Sequence, residues 1–186
     1  MKTEIIEKVR SFVEEECGKQ GSKYGKEPYE FHFVPMRNYA VGLAEKLGAD
    51  GEVVELAAWL HDVGSIVNGR EDHHVTGAKI AGKKLVELDY PLSRIEQIKY
   101  CIVNHRSSQN NNRETLEAQI ISDADALSNF DNIGGIFKAA FVYEGQTQGQ
   151  ANASTRAKLQ RKWEQLYFPE SRELIKPKYD VAMLLL

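Results

Sequence analysis

The chain has 186 residues, 42% hydrophobic and 27% charged, with a net charge of -3. This is globular composition at single-domain length, so disorder, collagen-like repeats and a disulfide scaffold are excluded, and no global charge draws the chain to nucleic acid or anionic membrane. The cysteines, Cys17 and Cys101, are far apart and outside any CxxC pair, which excludes a thiolate-rich zinc site. The start carries acidic residues where an export signal has an apolar run, and the final apolar stretch, Val181 to Leu186, is too short to span a bilayer. A soluble cytoplasmic protein is expected.

In chain order the pattern is helical throughout. Residues 2–16 set Ile5, Ile6, Val9, Phe12 and Val13 on one face. Tyr39, Leu43 and Leu47 repeat the spacing before Gly48, a C-terminal stop. Residues 52–62 are apolar nearly all round, as in a central core helix. Ala81, Leu85 and Leu88 mark a further helix, closed by Tyr90-Pro91. The spacing predicts a capping box at Ser93 and Glu96 opening the next. Residues 114–143 read as one long helical stretch that Gly134-Gly135 bends or breaks, and 154–167 and 170–185 as two closing helices. Polar runs at 18–28, 64–72, 107–113 and 144–152 read as loops. The expectation is a single all-α domain over 1–186.

Polar residues in apolar settings carry the chemistry. His61-Asp62 ends the most apolar helix, Asp123-Ala124-Asp125 follows Ile120-Ile121, and His32 lies between Phe31 and Phe33. Unpaired, such groups lose hydration at a cost of several kcal/mol each. One His-Asp pair alone reads as an internally bonded core histidine; two imidazoles with carboxylates and no thiolate favour a divalent ion, Mn, Fe, Co, Ni, Zn or Mg.

The arrangement His32, then His61-Asp62 within Ala-Ala-Trp-Leu-His-Asp-Val-Gly, then Ala124-Asp125-Ala126-Leu127, resembles the H…HD…D signature of the HD-domain metal-dependent phosphohydrolases. The likeness spans a core of about residues 28–145. It extends toward small bacterial and archaeal HD hydrolases, some of them nucleoside triphosphate pyrophosphohydrolases, through Thr115-Leu116-Glu117 and Ile133-Gly134-Gly135-Ile136. The resemblance implies His32, His61, Asp62 and one aspartate of the Asp-Ala-Asp as metal ligands. Asp125 is preferred, because Ala124-Asp125-Ala126-Leu127-Ser128-Asn129 is similar to the Ala-Asp-x-Leu-x-Asn element of the alarmone hydrolases. Asp123, two residues earlier on the helix, points elsewhere and is expected to support the site or cap a chain end. His73, four residues before Gly77-Ala78, and His105 resemble the added histidines of dinuclear members; they hold a second metal or bond a substrate phosphate, one ion being preferred over two. His74 reads as a surface residue.

The resemblance implies hydrolysis of a phosphate ester or anhydride in a nucleotide-type substrate, preferably pyrophosphate release from a nucleoside triphosphate. Asp62 is expected to act catalytically, as a ligand that also orients the attacking water. Substrate contacts are sought at Arg37, Lys79, Arg106, Asn129 and Lys138, and a general acid or base at Glu71 or Asp72. Lys138 stands where related small hydrolases often carry arginine. The aromatics Phe31, Phe33, Tyr39, Trp59 and Phe130 read as core, one being a stacking candidate. A di-iron oxygenase using His73 and His105, and an inactive regulatory module, are the alternatives. A homodimer through the closing helices is a further expectation; a nucleic-acid or membrane partner is not.

Overall fold

The computed structural model describes residues 2–106 and 113–186. The loop expected at 107–113 thus falls, apart from Arg113, outside the described residues. In order the elements are α1 (Lys2–Gly18), a π-helical turn (Tyr29–Phe33), α2 (Val34–Leu47), α3 (Gly51–Leu60), α4 (Val63–Asn68), α5 (His73–Glu87), α6 (Leu92–Asn104), α7 (Leu116–Asp131), α8 (Ile133–Lys138), a second π-helical turn (Ala139–Tyr143), α9 (Gln148–Glu164) and α10 (Pro169–Leu185). No strand occurs among the described residues, and none of their helices is long and apolar enough to cross a membrane.

Helix α3 forms the middle of the core, as its composition requires. Every residue from Val53 to Leu60 except Glu55 is buried. Asp50 caps it, accepting hydrogen bonds from the amides of Glu52 at 3.1 Å and Val53 at 3.2 Å. Around it pack α1, α2, α5, α6 and α7, with Val9, Val13, Met36, Leu43, Leu85, Ile98, Ile102, Ile120, Ile121 and Leu127 all excluded from solvent. Gly48 closes α2 in the left-handed conformation at φ 74°, where glycine bears no Cβ penalty.

Several boundaries depart from the sequence pattern. The box at Ser93 does not form: Pro91, extended at ψ 129°, already starts α6, and its carbonyl accepts from the amides of Arg94 and Ile95, both at 3.0 Å. A capping box forms instead at Thr147 and Gln150, so α9 begins inside the run expected to be a loop. Within 64–72, also expected to be a loop, the buried side chains of Val63, Ser65 and Ile66 anchor the short α4. Its Gly64 meets α5 so closely that a Cβ there would lie 2.5 Å from the Gly77 amide nitrogen and 2.6 Å from Thr76 Oγ1. The long stretch 114–143 breaks at Asn132 (φ −115°, ψ 39°) and not at the glycine pair, because the Asn132 side chain accepts from the Gly135 amide at 3.1 Å and restarts the helix as α8.

At the C-terminal end, α9 lays Ala151, Thr155 and Leu159 against the bundle, and Trp163 stacks on Tyr179 of α10 with ring centroids 4.4 Å apart. The apolar tail divides: Ala182 and Met183 pack on the core, whereas Leu184 and Leu185 are exposed.

Candidate metal centre and cleft

The histidines that converge sit at helix ends. His61 closes α3, Asp62 opens α4, His73 opens α5, His105 closes α6, and His32 lies in the first π-helical turn. Asp125 joins them from the middle of α7. Two triads have their donor atoms mutually within 4.8 Å: His32 with His61 and Asp62, and His73 with His105 and Asp62. Asp62 is common to both.

Hydrogen bonds behind the rings fix which nitrogen faces inward. His61 Nδ1 donates to the Ala58 carbonyl at 2.8 Å, His73 Nδ1 to that of Arg70 at 2.8 Å, and His105 Nδ1 to that of Ile102 at 2.6 Å. Ser128 Oγ donates to the Asp125 carbonyl at 2.9 Å and so accepts from His32 Nδ1 at 3.1 Å. This tautomer assignment, drawn from the hydrogen-bond network, turns four bare Nε2 lone pairs toward one centre. There His32 Nε2 and His61 Nε2 are 3.0 Å apart. Asp62 Oδ1 lies 3.2 Å from His73 Nε2 and 3.6 Å from His105 Nε2, and Asp62 Oδ2 lies 3.5 Å from His32 Nε2. Asp125 Oδ1 is 3.8 Å from His32 Nε2.

Lone pairs facing lone pairs and carboxylates repel unless a cation lies among them. Asp62 Oδ1 is buried without a hydrogen-bond partner among the described residues. Burial pushes the His61 imidazole down to about 3, so it is neutral. Burial would raise both carboxyls, but His105 and His32 hold Asp62 well below the usual carboxylate range, and Lys162, then His32, do the same for Asp125. The neutral His61 imidazole, ionised carboxylates and ring N–H groups tied to carbonyls or a hydroxyl belong to the donor set a divalent ion requires.

The centre forms part of the lining of a cleft of about 1040 Å³. Opposite walls include Tyr24, Pro28, Phe31, Ile136 and Tyr143, with Tyr24 and Tyr143 edge to face at 5.4 Å. Of the expected substrate contacts, Arg106, Asn129 and Lys138 line this cleft; the Lys138 ammonium is bonded to Glu27 at 2.6 Å, and Asn129 Nδ2 donates to the Asp125 carbonyl at 2.6 Å.

Other expectations require correction. Arg37 is turned away and bonds Glu55, its Nε at 2.7 Å from the carboxylate. Lys79 is exposed on α5, and Glu71 and Asp72 are exposed before it; none of the three lines the cleft. His74 is buried rather than at the surface, its ring centroid 5.8 Å from that of His73. Asp123, by contrast, behaves as a group that caps a chain end: it is buried and faces away from the centre, accepting from the amides of Tyr167 at 2.9 Å and Phe168 at 3.1 Å, where the chain enters α10. Of the aromatics, Phe33, Trp59 and Phe130 are core, whereas Phe31 is half exposed on the cleft.

The sequence reading expected a helix over 154–167 but no site residue on it. Lys158, Arg161, Lys162 and Gln165 all line the cleft, and Lys162 Nζ bonds Asp125 Oδ2 at 2.6 Å. Their i, i+3, i+4, i+7 spacing puts them on one face, the pattern read elsewhere only for apolar residues.

The HD-domain family model matches residues 29–129, which contain every residue of both triads and Asp125. No curated protein matches. Among solved structures, an HD-superfamily hydrolase from Bacillus thuringiensis superposes with TM-score 0.76 at 20% identity over 100% of this chain and 94% of its own. YpgQ of Bacillus subtilis in complex with ADP gives 0.75 at 20% identity over 99% of this chain and 91% of its own. A Listeria innocua protein gives 0.74 at 18% identity, covering 100% and 93%. At these identities the superpositions speak for the fold, and the sequence match speaks for the family. With the match spanning more than half of the chain and the converging histidines and aspartates inside it, the chain belongs to the HD-domain family, the metal-dependent phosphohydrolases that its His-Asp pattern resembles.

Proposed function

We propose that this chain hydrolyses a phosphate anhydride in a nucleotide-type substrate, releasing pyrophosphate from a nucleoside triphosphate. The observation that carries the reading is the convergence of four Nε2 atoms and two carboxylates beside a cleft whose lining includes both aromatic and cationic side chains. The complex of YpgQ with ADP shows that a protein of this fold accommodates a nucleotide.

His32, His61, Asp62 and Asp125 would hold one divalent ion. His73 and His105 would join Asp62 around a second, and what supports the second is the triad they form with its otherwise unbonded Oδ1. When bound, such ions supply Lewis acidity to a phosphoryl oxygen and to the attacking water. Asp62, shared between the triads, would orient that water toward phosphorus. Asn129 and Arg106 face the substrate from the cleft wall, and cationic side chains offset charge developing on the departing group. Phe31 and the Tyr24–Tyr143 pair offer the apolar surface on which a base stacks.

The test is metal content of protein purified without chelator, with phosphate and pyrophosphate release from a nucleotide panel in added Mn²⁺. Metal in the wild type, pyrophosphate from a triphosphate, and loss of both in Asp125→Asn are expected. Iron in the preparation, oxygen consumption and no release across the panel would overturn the reading in favour of oxidative chemistry at the same histidines.

A further inference from the structure

The cleft holds more positive charge than the groups around it neutralise. Its carboxylates are engaged: Asp62 and Asp125 at the centre, Glu27 with Lys138, and Asp131 with Lys178 and Tyr39. On α9, Lys162 is paired with Asp125, but Lys158 and Arg161 make no side-chain hydrogen bond or ion pair among the described residues. Lys158 is also half-buried, with Lys162 and Arg70 and, opposing them less strongly, Asp125 and Asp62 as its charged neighbours. Burial first, and then those two cations, push its ammonium down to about 8, against 10.5 for a free lysine. Arg70, which also lines the cleft, has Glu144 at 3.5 Å as its one ion-pair partner among the described residues.

A half-buried ammonium beside two other cations loses hydration and gains repulsion, which Asp125 and Asp62 offset only in part, so a further anion is favoured beside it. The ordinary alternative, a solvated lysine on an outer helix face, does not describe it: the outward face of α9 is Arg156, Gln160 and Glu164, all exposed. The helix itself is held by Ala151, Thr155 and Leu159 in the core, so the cation is carried on a rigid element.

We propose that Lys158, with Arg161 and Arg70, forms a second anion site in the cleft, one that holds the phosphate groups lying beyond the bond at the histidine–carboxylate centre and so selects polyphosphate chains over a monophosphate. This rests on the phosphohydrolase reading for its role in turnover, though not for the binding itself. A single phosphate satisfies the centre alone; a chain of two or three reaches α9 as well. Lysine donates to such oxygens as a point charge, whereas arginine would do so through a planar fork, and either neutralises the anion.

The experiment is calorimetric titration of the full chain, kept metal-free with EDTA, using inorganic tripolyphosphate, pyrophosphate and phosphate as probes. Tripolyphosphate is expected to bind most tightly and phosphate most weakly. Lys158→Met is expected to weaken tripolyphosphate by about tenfold or more, with Lys158→Arg restoring most of it. Arg161→Gln, at an exposed position, is expected to cost about threefold and serves as the test should Lys158→Met fail to fold. In turnover the loss in Lys158→Met is expected mainly in KM for a triphosphate. Equal tripolyphosphate affinity in wild type, Lys158→Met and Arg161→Gln would overturn the proposal, even with pyrophosphate release intact. If no nucleotide is hydrolysed yet tripolyphosphate binding still depends on Lys158, the anion site stands and the assigned reaction falls.

Discussion

The two charged regions of the cleft are built in opposite ways. At the histidine centre, His61, His73 and His105 each donate Nδ1–H to the carbonyl three residues earlier, so every ring is oriented by its own stretch of chain. On α9 the cations are long side chains set by helical spacing alone, and they reach the centre only because Leu159 and Trp163 dock the helix from a distance. Local bonding makes the first region rigid before anything binds; tertiary packing delivers the second. The first should therefore be sensitive to single-atom changes and the second graded in its response.

The largest effect is expected from His61→Ala, which removes a buried imidazole proposed as a ligand, its Nε2 facing that of His32. Metal retained after dialysis should fall to background and activity by at least about a hundredfold, read by elemental analysis and product release. Full metal retention would show that the rings do not act as one centre.

Asp123→Ala tests the boundary of that centre from two residues away. It leaves the part-buried amides of Tyr167 and Phe168 without their buried acceptor, a loss of about 1–3 kcal/mol, or roughly 3–10 °C in Tm, while metal stoichiometry is kept. Metal loss at unchanged Tm would reverse the roles of Asp123 and Asp125.

Lys158 gives the pH signature of the α9 side. Its folded pKa near 8 lies below the 10.5 of the unfolded chain, so between those values the unfolded state binds more protons and stability rises with pH. Below about 8 the full cost of the buried charge is present in the wild type and absent in Lys158→Met. Thermal unfolding in phosphate-free buffer should show the Met variant ahead near pH 7 and the gap narrowing through pH 8–10. A gap that does not change with pH would place the ammonium in bulk solvent. The smallest effect belongs to Arg37→Ala, which breaks the pair with Glu55 outside the cleft: about 1 kcal/mol or less in stability, and turnover within error of wild type.

This division also explains what could be read from the residues. The helical class and the core helix at 52–62 follow from local signals, as does the demand for compensation of imidazoles and carboxylates in apolar runs; the grouping of His32, His61 and Asp62 with Asp125 rather than Asp123 comes from the family resemblance. Periodicity placed α9 only in part, since Thr147 and Gln150 open it within a polar run that resembles a loop. Lys158 and Lys162 carried no warning, as a lysine at helical spacing looks the same facing solvent or a cleft. Arg37, one turn beyond His32, was the converse error: proximity in sequence did not survive the pairing with Glu55, which lies across on α3.

Gly64 has a bearing on how such a cleft changes. The three atoms that a side chain there would meet first are the His73 carbonyl, the Gly77 amide and the Thr76 hydroxyl, all on α5. A single methyl group, Gly64→Ala, would therefore act as a wedge between α4 and α5, changing the spacing between Asp62, which opens the one, and His73, which opens the other, from a position that does not itself line the cleft.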